Sequence, residues 1–167
     1  MKKIFFLSLV ISTMVFGSNT FFIKLADQLD EEEYYCLDIT GSTYSNNLKL
    51  EDPLQAHTCK TGKAPDQEFI AKGNTLVISA YDRCLTASGS SGSALPGSAV
   101  LLRECDESNS QNFDILSSGQ IEFNNSGLCV AAGDVSQKAS GPSHLWRVAS
   151  LQSCQSTDSK LTTWTTK

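Results

Sequence analysis

Six cysteines are the side chains of this sequence best suited to covalent chemistry, and their arrangement favours disulfide bonds over metal binding. No Cys-x-x-Cys motif occurs, and His57 and His144 have no metal-ligand spacing. Zinc and iron–sulfur sites need clustered ligands. An even number of cysteines in an exported chain is instead typical of a disulfide framework. The cysteines are Cys36, Cys59, Cys84, Cys105, Cys129 and Cys154.

Motifs for hydrolysis or phosphate transfer do not occur in the sequence. There is no His-Glu-x-x-His zinc motif, no phosphate-binding glycine loop, and no recognisable set of serine, histidine and aspartate. Asp38 and Asp66 leave one alternative open, because a pair of carboxylates can hydrolyse a glycosidic bond. We predict a protein that is not an enzyme and that carries no cofactor and no metal ion.

The first 17 residues predict export. A basic "MKK" precedes the apolar run "IFFLSLVISTMVF", and Val15 and Gly17 are small enough to flank a cleavage site. We therefore predict a signal peptide over 1–17 and a secreted or periplasmic domain over 18–167, with no membrane span in the mature chain. An uncleaved anchor is the alternative, although the apolar run is short for a bilayer.

The mature chain is acidic. The full sequence has 13 basic and 18 acidic residues, a net charge of −5. Removal of Lys2 and Lys3 with the signal peptide leaves 11 basic residues and a net charge of −7. Such a surface repels nucleic acid and anionic lipid. We therefore expect neither of them as a partner.

The first, third and fifth cysteines, Cys36, Cys84 and Cys129, mark three copies of one unit. The words "YYCLDITG", "DRCLTASG" and "GLCVAAGD" hold the first cysteine of each copy, at intervals of 48 and 45 residues. A second cysteine follows 23, 21 or 25 residues later, and then "DQEF", "SQNF" or "KLTTW". Repeats of this length indicate one supersecondary unit reused around a shared core. Because equal units favour equal pairing, we choose bonds within each unit among the 15 pairings that six cysteines allow.

The strand patterns and the two termini predict a closed all-β ring. Short segments rich in branched or aromatic residues recur, such as "TLVISA" and "LWRVASLQ". The third unit ends soon after Trp164, without the strand that follows Phe69 and Phe113. The segment "FFIKLADQLDEEEYYC" supplies such a strand at the other end of the chain. The termini are therefore expected to meet, which removes exposed strand edges.

With these motifs the sequence resembles the ricin-type (R-type) β-trefoil lectins over roughly residues 20–167. The resemblance rests on "CLD", on the Gln-x-Phe words at 67–69 and 111–113, on the "G-x-I/L" strands and on three cysteine pairs in register. It implies an all-β trefoil of three pseudo-repeats, each with one disulfide. It also implies that the aromatic residue of each word fills a shared core. These residues are Phe69, Phe113 and Trp164.

The resemblance further implies a sugar site in the first unit. In the family, an aspartate two residues after the first cysteine binds the sugar hydroxyls, and a ring two residues before the second cysteine supports the apolar face of the sugar. An Asn or Asp and a Gln complete the pocket. The corresponding residues are Asp38, His57, Asp66 and Gln67. The histidine departs from the Trp or Tyr that the family has there.

The second and third units lack both main elements of this site. The second unit has Thr86 and Arg103 in place of the aspartate and the ring, and the third has Ala131 and Gln152. We expect both units to serve as scaffold only.

Structural roles compete with binding roles at three positions. Asp38 is of a residue type that often caps a turn. His57 is equally consistent with an ordinary surface position on a strand. Trp146 is expected in the core, with an exposed sugar platform as the alternative.

The resemblance implies a carbohydrate-binding lectin without catalytic activity, with galactose-type glycans as ligands. The alternative is the binding or delivery subunit of a bacterial toxin or another secreted complex, because the binding subunits of cytolethal distending toxin look similar. In that case the trefoil surface contacts a protein partner or forms an oligomer.

Overall fold

The computed structural model describes residues 19–43, 45–89, 92–141 and 144–166. These residues form thirteen strands, a 3₁₀ turn over Asn109–Gln111 and one short helix, α1, over Ser159–Thr162. Neither helical segment is long and apolar enough to cross a membrane. The predicted signal peptide, 1–17, lies outside the described residues.

The strands form three sets of four, one for each repeat. The first set is β1 (Phe21–Leu25), β2 (Tyr35–Asp38), β3 (Gln55–Thr58) and β4 (Glu68–Lys72). The second set is β5 (Thr75–Ile78), β6 (Arg83–Ala87), β7 (Val100–Glu104) and β8 (Phe113–Ile115). The third set is β9 (Ile121–Phe123), β10 (Leu128–Ala132), β12 (Leu145–Ser153) and β13 (Trp164–Thr166). A two-residue strand, β11 (Gln137–Lys138), is added to the edge of β12.

The first and fourth strands of the repeats close into a ring. β1 pairs with β4, β4 with β5, and β8 with β9. A single bridge joins Gln120, next to β9, to Thr163, next to β13. β13 then pairs with β1, with Trp164 opposite Leu25. The predicted meeting of the termini is confirmed. Between β5 and β8 the ring is joined by one backbone hydrogen bond, from the N–H of Phe113 to the carbonyl oxygen of Asn74 at 2.7 Å.

The second and third strands of each repeat form a hairpin closed by a disulfide. The hairpins are β2–β3, β6–β7 and β10–β12. The bonds are Cys36–Cys59, Cys84–Cys105 and Cys129–Cys154, with Cα atoms 4.9 to 5.1 Å apart. The predicted pairing within repeats is confirmed. Each bond closes a loop of 21 to 25 residues, which is worth about 3 kcal/mol in the chain-entropy model.

The aromatic residues of the three repeated motifs lie together in one core, as predicted. Phe69, Phe113 and Trp164 are buried in a single apolar cluster that includes residues of all three repeats. The indole Nε1 of Trp164 donates to the carbonyl oxygen of Val130 at 2.8 Å. The core therefore lies on the axis that relates the repeats.

The glutamine of the first two motifs forms hydrogen bonds within its own repeat. In the first two repeats its amide oxygen accepts from the backbone N–H just after the second cysteine, and its amide N–H donates to the carbonyl just before that cysteine. The third repeat has Thr162 at this position. There Gln120 donates to the carbonyl of Cys154 at 2.8 Å and so supplies a similar tie from a different strand.

The strand β12 is nine residues long and joins two repeats. Its second half pairs with β10 in its own repeat, whereas its first half pairs with β3 of the first repeat. Trp146 lies opposite His57 in this second pairing. The first and third repeats therefore share one continuous sheet.

Candidate functional site

A buried cluster of charged side chains lies at the end of the first repeat's hairpin. Asp38 ends β2, Lys60 follows Cys59 just after β3, and Asp66 lies shortly before β4. Lys60 Nζ lies 2.5 Å from Asp66 Oδ2 and 3.1 Å from Asp38 Oδ2. One ammonium group therefore links the two carboxylates.

Gln67 joins this cluster through its amide. Its Nε2 donates to Asp38 Oδ2 at 3.0 Å and to the carbonyl oxygen of Thr58 at 3.1 Å. Three of the four predicted site residues, Asp38, Asp66 and Gln67, are thus in one hydrogen-bonded group. The side chains of Asp38 and Asp66 are 1% and 0% exposed, whereas that of Lys60 is 19% exposed. Lys60 is the part of this group that solvent reaches.

Sequence reasoning did not include Lys60. A useful signal was present, because two carboxylates assigned to one pocket need a cation between them. Lys60 lies directly after the second cysteine and six residues before Asp66. That spacing places it in the loop that closes the pocket.

Burial determines the direction of the pKa shift of Asp38, whereas neighbouring charges determine that of Lys60. Burial raises the pKa of Asp38 to about 7, against the attraction of Lys60 and with the repulsion of Asp66. For Lys60, burial alone would lower the pKa, but the carboxylates of Asp38 and Asp66 outweigh it and raise the pKa above its usual value. Lys60 therefore stays charged at neutral pH, while Asp38 is poised to take up a proton.

Asp38 is expected to make the folded state lose stability as the pH rises. Its pKa is about 7 in the folded protein and 3.8 in the reference state. The folded state therefore binds the proton more tightly than the unfolded chain does. The stabilisation that this proton gives is complete below about pH 4 and is lost by about pH 7. The free energy of unfolding of the wild type, minus that of Asp38→Asn, should fall by on the order of 3 kcal/mol from pH 4 to pH 8.

Urea denaturation at several pH values measures this difference. Taking the difference between two proteins removes most of the opposite contribution of His57. Asp52→Asn, at an exposed aspartate paired with Lys49, should leave the pH dependence as in the wild type. An identical pH dependence in Asp38→Asn and the wild type would contradict the expectation.

His57, the fourth predicted site residue, lies beside the cluster. Its Nδ1 is 3.7 Å from Asp38 Oδ2 and 3.2 Å from the carbonyl oxygen of Thr58. Its ring meets the ring of His144 edge-on, with centroids 5.9 Å apart. Burial holds the pKa of His57 below its usual value, so the imidazole is neutral at pH 7. It offers a flat, uncharged surface.

A cleft of about 500 Å³ opens next to His57, between the first and third repeats. Gln55 and His57 of β3 line it together with Trp146 and Val148 of β12, and Asn47 lies in the loop on one side. Asp38, Asp66 and Gln67 do not line this cleft. His57 is therefore the residue that connects the charged cluster to this cleft.

The expectation that Trp146 lies in the core is wrong. Trp146 is half-buried and lines the cleft. Side chains alternate between the two faces of a strand, and on β12 the buried positions are Arg147, Ala149 and Leu151. Trp146 therefore points outward.

The corresponding positions of the other two repeats hold no such cluster. The hydroxyl of Thr86 donates to the backbone carbonyl two residues earlier, and Arg103 pairs with Glu51 at 3.1 Å. Ala131 is fully buried. No three side chains of His, Cys, Asp or Glu are placed to hold a metal ion within the described residues. Only the first repeat therefore combines carboxylates, an ammonium and an amide at this position.

Comparisons with known proteins identify the fold. No family model and no curated protein matches the chain, but solved structures do. The agglutinin from Abrus precatorius matches 95% of the chain with a TM-score of 0.62 at 21% identity. A designed threefold-symmetric protein, ThreeFoil, matches 88% with a TM-score of 0.59 at 13% identity, over 96% of its own length. The chain has the β-trefoil fold of these proteins.

Two further structures match this trefoil. The mdaA-1 domain matches 90% of the chain and 90% of its own length, with a TM-score of 0.61 at 17% identity. A non-toxic homologue of type II RIPs from Momordica charantia, solved in complex with α-methyl-D-galactoside, matches 88% with a TM-score of 0.57 at 18% identity. The trefoil spans 51% of the Abrus chain and 46% of the Momordica chain, about half of each.

Proposed function

We propose that this trefoil is an exported, non-catalytic carbohydrate-binding protein, with its sugar site in the first repeat at Asp38, His57, Asp66 and Gln67. One observation carries the proposal. Among the described residues, only the first repeat combines buried carboxylates, a partly exposed ammonium and a neutral ring at the edge of a cleft. Sugar recognition requires this combination of directed polar groups and a flat apolar surface.

Each group has a distinct task in this proposal. The imidazole of His57 supports the apolar face of the sugar ring. Lys60, held between Asp38 and Asp66, and the amide of Gln55 supply hydrogen bonds to the hydroxyls. Because Asp38 is only 1% exposed, it acts mainly by fixing the ammonium and the imidazole. Such fixed polar groups lose little freedom on binding.

The burial of the carboxylates supports binding without hydrolysis. A glycosidase needs a carboxyl group on each side of the scissile bond. Asp38 and Asp66 are instead held by one ammonium and withdrawn from solvent. A glycosidic bond has no access between them.

Export is supported by the three disulfides, because such bonds persist in oxidising compartments. The Momordica homologue was solved with a galactoside, and we propose galactose-type glycans for this trefoil as well. A single shallow site gives a Kd near the millimolar range, about −4 kcal/mol. Useful avidity then comes from an oligomer or from a partner with further sites.

A glycan array on the oxidised protein tests the proposal. We expect binding by the wild type and a loss of at least about tenfold in affinity for Asp38→Ala and for His57→Ala. Thr86→Ala, at the position equivalent to Asp38 in the second repeat, is the matched control and should bind as the wild type does.

Two results would contradict the proposal. Failure of the wild type to bind any glycan would remove the carbohydrate function, and a protein partner retained through purification would then favour the toxin-subunit alternative. Unchanged binding by Asp38→Ala and His57→Ala would move the site out of this part of the first repeat.

A further inference from the structure

The floor of the cleft is built from two neighbouring strands of different repeats. His57 of β3 lies opposite Trp146 of β12, and Gln55 lies opposite Val148. Directly opposed residues point to the same face of a sheet, with Cβ atoms about 5 Å apart. The two rings, the amide and the valine therefore form one continuous surface.

Three of these side chains are available to a ligand. Gln55 is only 8% exposed, yet within the described ranges its amide makes no hydrogen bond. The indole N–H of Trp146 also donates to no described acceptor, and Val148 is 50% exposed. The amide of Gln55 faces the cleft, so it is free to form hydrogen bonds with a ligand there.

The surroundings of His57 differ in polarity from one side to the other. The charged cluster of Asp38 and Lys60 lies on the β2 side of His57, whereas Trp146 and Val148 lie on the β12 side. Adjacent strands are about 4.8 Å apart, so the polar and apolar ends are separated by roughly two strand spacings. A volume of about 500 Å³ falls within the range of roughly 300–1,000 Å³ for drug-sized ligands.

We infer that the cleft binds a saccharide of at least two rings, with the first ring over His57 and the second against Trp146. This inference rests on the proposed function, because it takes the first-repeat site as the place of the first ring. The binding site is then shared between repeats one and three, and Trp146 selects for a disaccharide over a single sugar.

The backbone on both sides of Trp146 is held by contacts of its two neighbours. The neighbouring Arg147 is ion-paired with Asp30, with Nη2 2.5 Å from Oδ1, and donates to the carbonyl of Gly133 at 2.7 Å. The backbone N–H of Leu145 donates to Glu31 Oε2 at 3.0 Å. These contacts fix the start of β12 onto the first repeat, so little order is gained when a ligand binds.

Calorimetric titration with methyl β-galactoside and with lactose, a disaccharide that ends in the same sugar, tests the inference. We expect the wild type to bind lactose about tenfold more tightly. Trp146→Ala and Val148→Ser should lose this preference and keep the affinity for methyl β-galactoside within about twofold. Val135→Ser, at an exposed valine away from the cleft, is the matched control. Asp38→Ala should weaken both ligands.

Tryptophan fluorescence gives a second measurement. The chain has two tryptophans, and Trp164 is buried in the core, so an emission shift on ligand binding reports Trp146. Lactose should shift the emission, and methyl β-galactoside should not. Trp146→Phe keeps an aromatic ring and should keep most of the preference for lactose. This variant tests the inference even if Trp146→Ala is misfolded.

The outcomes separate the inference from the proposed function. Equal affinity of the wild type for the two ligands, with no effect of Trp146→Ala, would overturn the inference and leave the proposed function in place. Failure to bind either ligand would overturn both for galactose-type sugars.

Discussion

Replacing Lys60 by methionine is expected to lower the free energy of unfolding by about 3–5 kcal/mol at pH 8. The ammonium lies 2.5 Å from Asp66 and 3.1 Å from Asp38, and both carboxylates are withdrawn from water. Methionine has a similar length but no charge, so it leaves two buried carboxylates facing each other. Urea denaturation measures the loss.

The loss should be smaller at pH 5 than at pH 8. Burial already raises the pKa of Asp38 to about 7, and removal of the neighbouring cation raises it further. At pH 5 the carboxyl group is then protonated, and the repulsion from Asp66 is relieved. A loss that grows with pH therefore identifies the buried carboxylates as its cause.

Lys49→Met is the matched control for this experiment. Lys49 pairs with Asp52 at 3.7 Å, and both side chains are at least half exposed. Exposed pairs contribute about 0–1 kcal/mol, so this variant should be nearly as stable as the wild type. The double variant Lys60→Met with Asp38→Asn should recover much of the loss. A Lys60→Met variant as stable as Lys49→Met would contradict the buried ion cluster.

Replacing Phe113 by alanine is expected to cost about 3–5 kcal/mol of unfolding free energy. Phe113 is buried in the shared core, with its ring centroid 5.4 Å from that of Phe123. Alanine removes the whole phenyl ring and leaves a cavity in the shared core, which the surrounding side chains fill only in part. Chemical denaturation of the oxidised protein measures the effect.

A control on the same strand separates core packing from other effects. Ile115 ends β8 and is exposed, so Ile115→Ala should cost less than about 1 kcal/mol. Phe69→Ala should cost about as much as Phe113→Ala, because the two rings occupy equivalent places in the core. A small loss at either phenylalanine would contradict a core shared by the repeats.

The fold was largely predictable from spacing along the chain. The three cysteine pairs and the aromatic words recur in register, and the disulfides and the core follow that register. The length of β12 was not predictable. Its first half pairs with a strand of another repeat, and no local pattern encodes a partner so distant in sequence.

The candidate site was predictable in part. The resemblance to the ricin-type lectins implied that Asp38, Asp66 and Gln67 share one pocket, and these three side chains do converge. Lys60 was not included, because a lysine next to a cysteine is expected to be exposed until its burial is known. Trp146 was assigned to the wrong side of its strand for a similar reason. Its neighbour Arg147 is buried, and buried arginines are rare.

The sequence by itself determined the number of repeats, the disulfide pairing and the meeting of the termini, because each of these depends on regular spacing within the chain. The core role of the aromatic residues came from the resemblance to the ricin-type lectins. The tertiary structure alone decided that an ammonium bridges the two carboxylates, that His57 faces a cleft, and that Trp146 lies beside it. These features depend on side-chain direction and on contacts between distant residues, such as Arg147 with Asp30, 117 positions apart. Burial then sets their charge states, and burial exists only once the repeats have packed together.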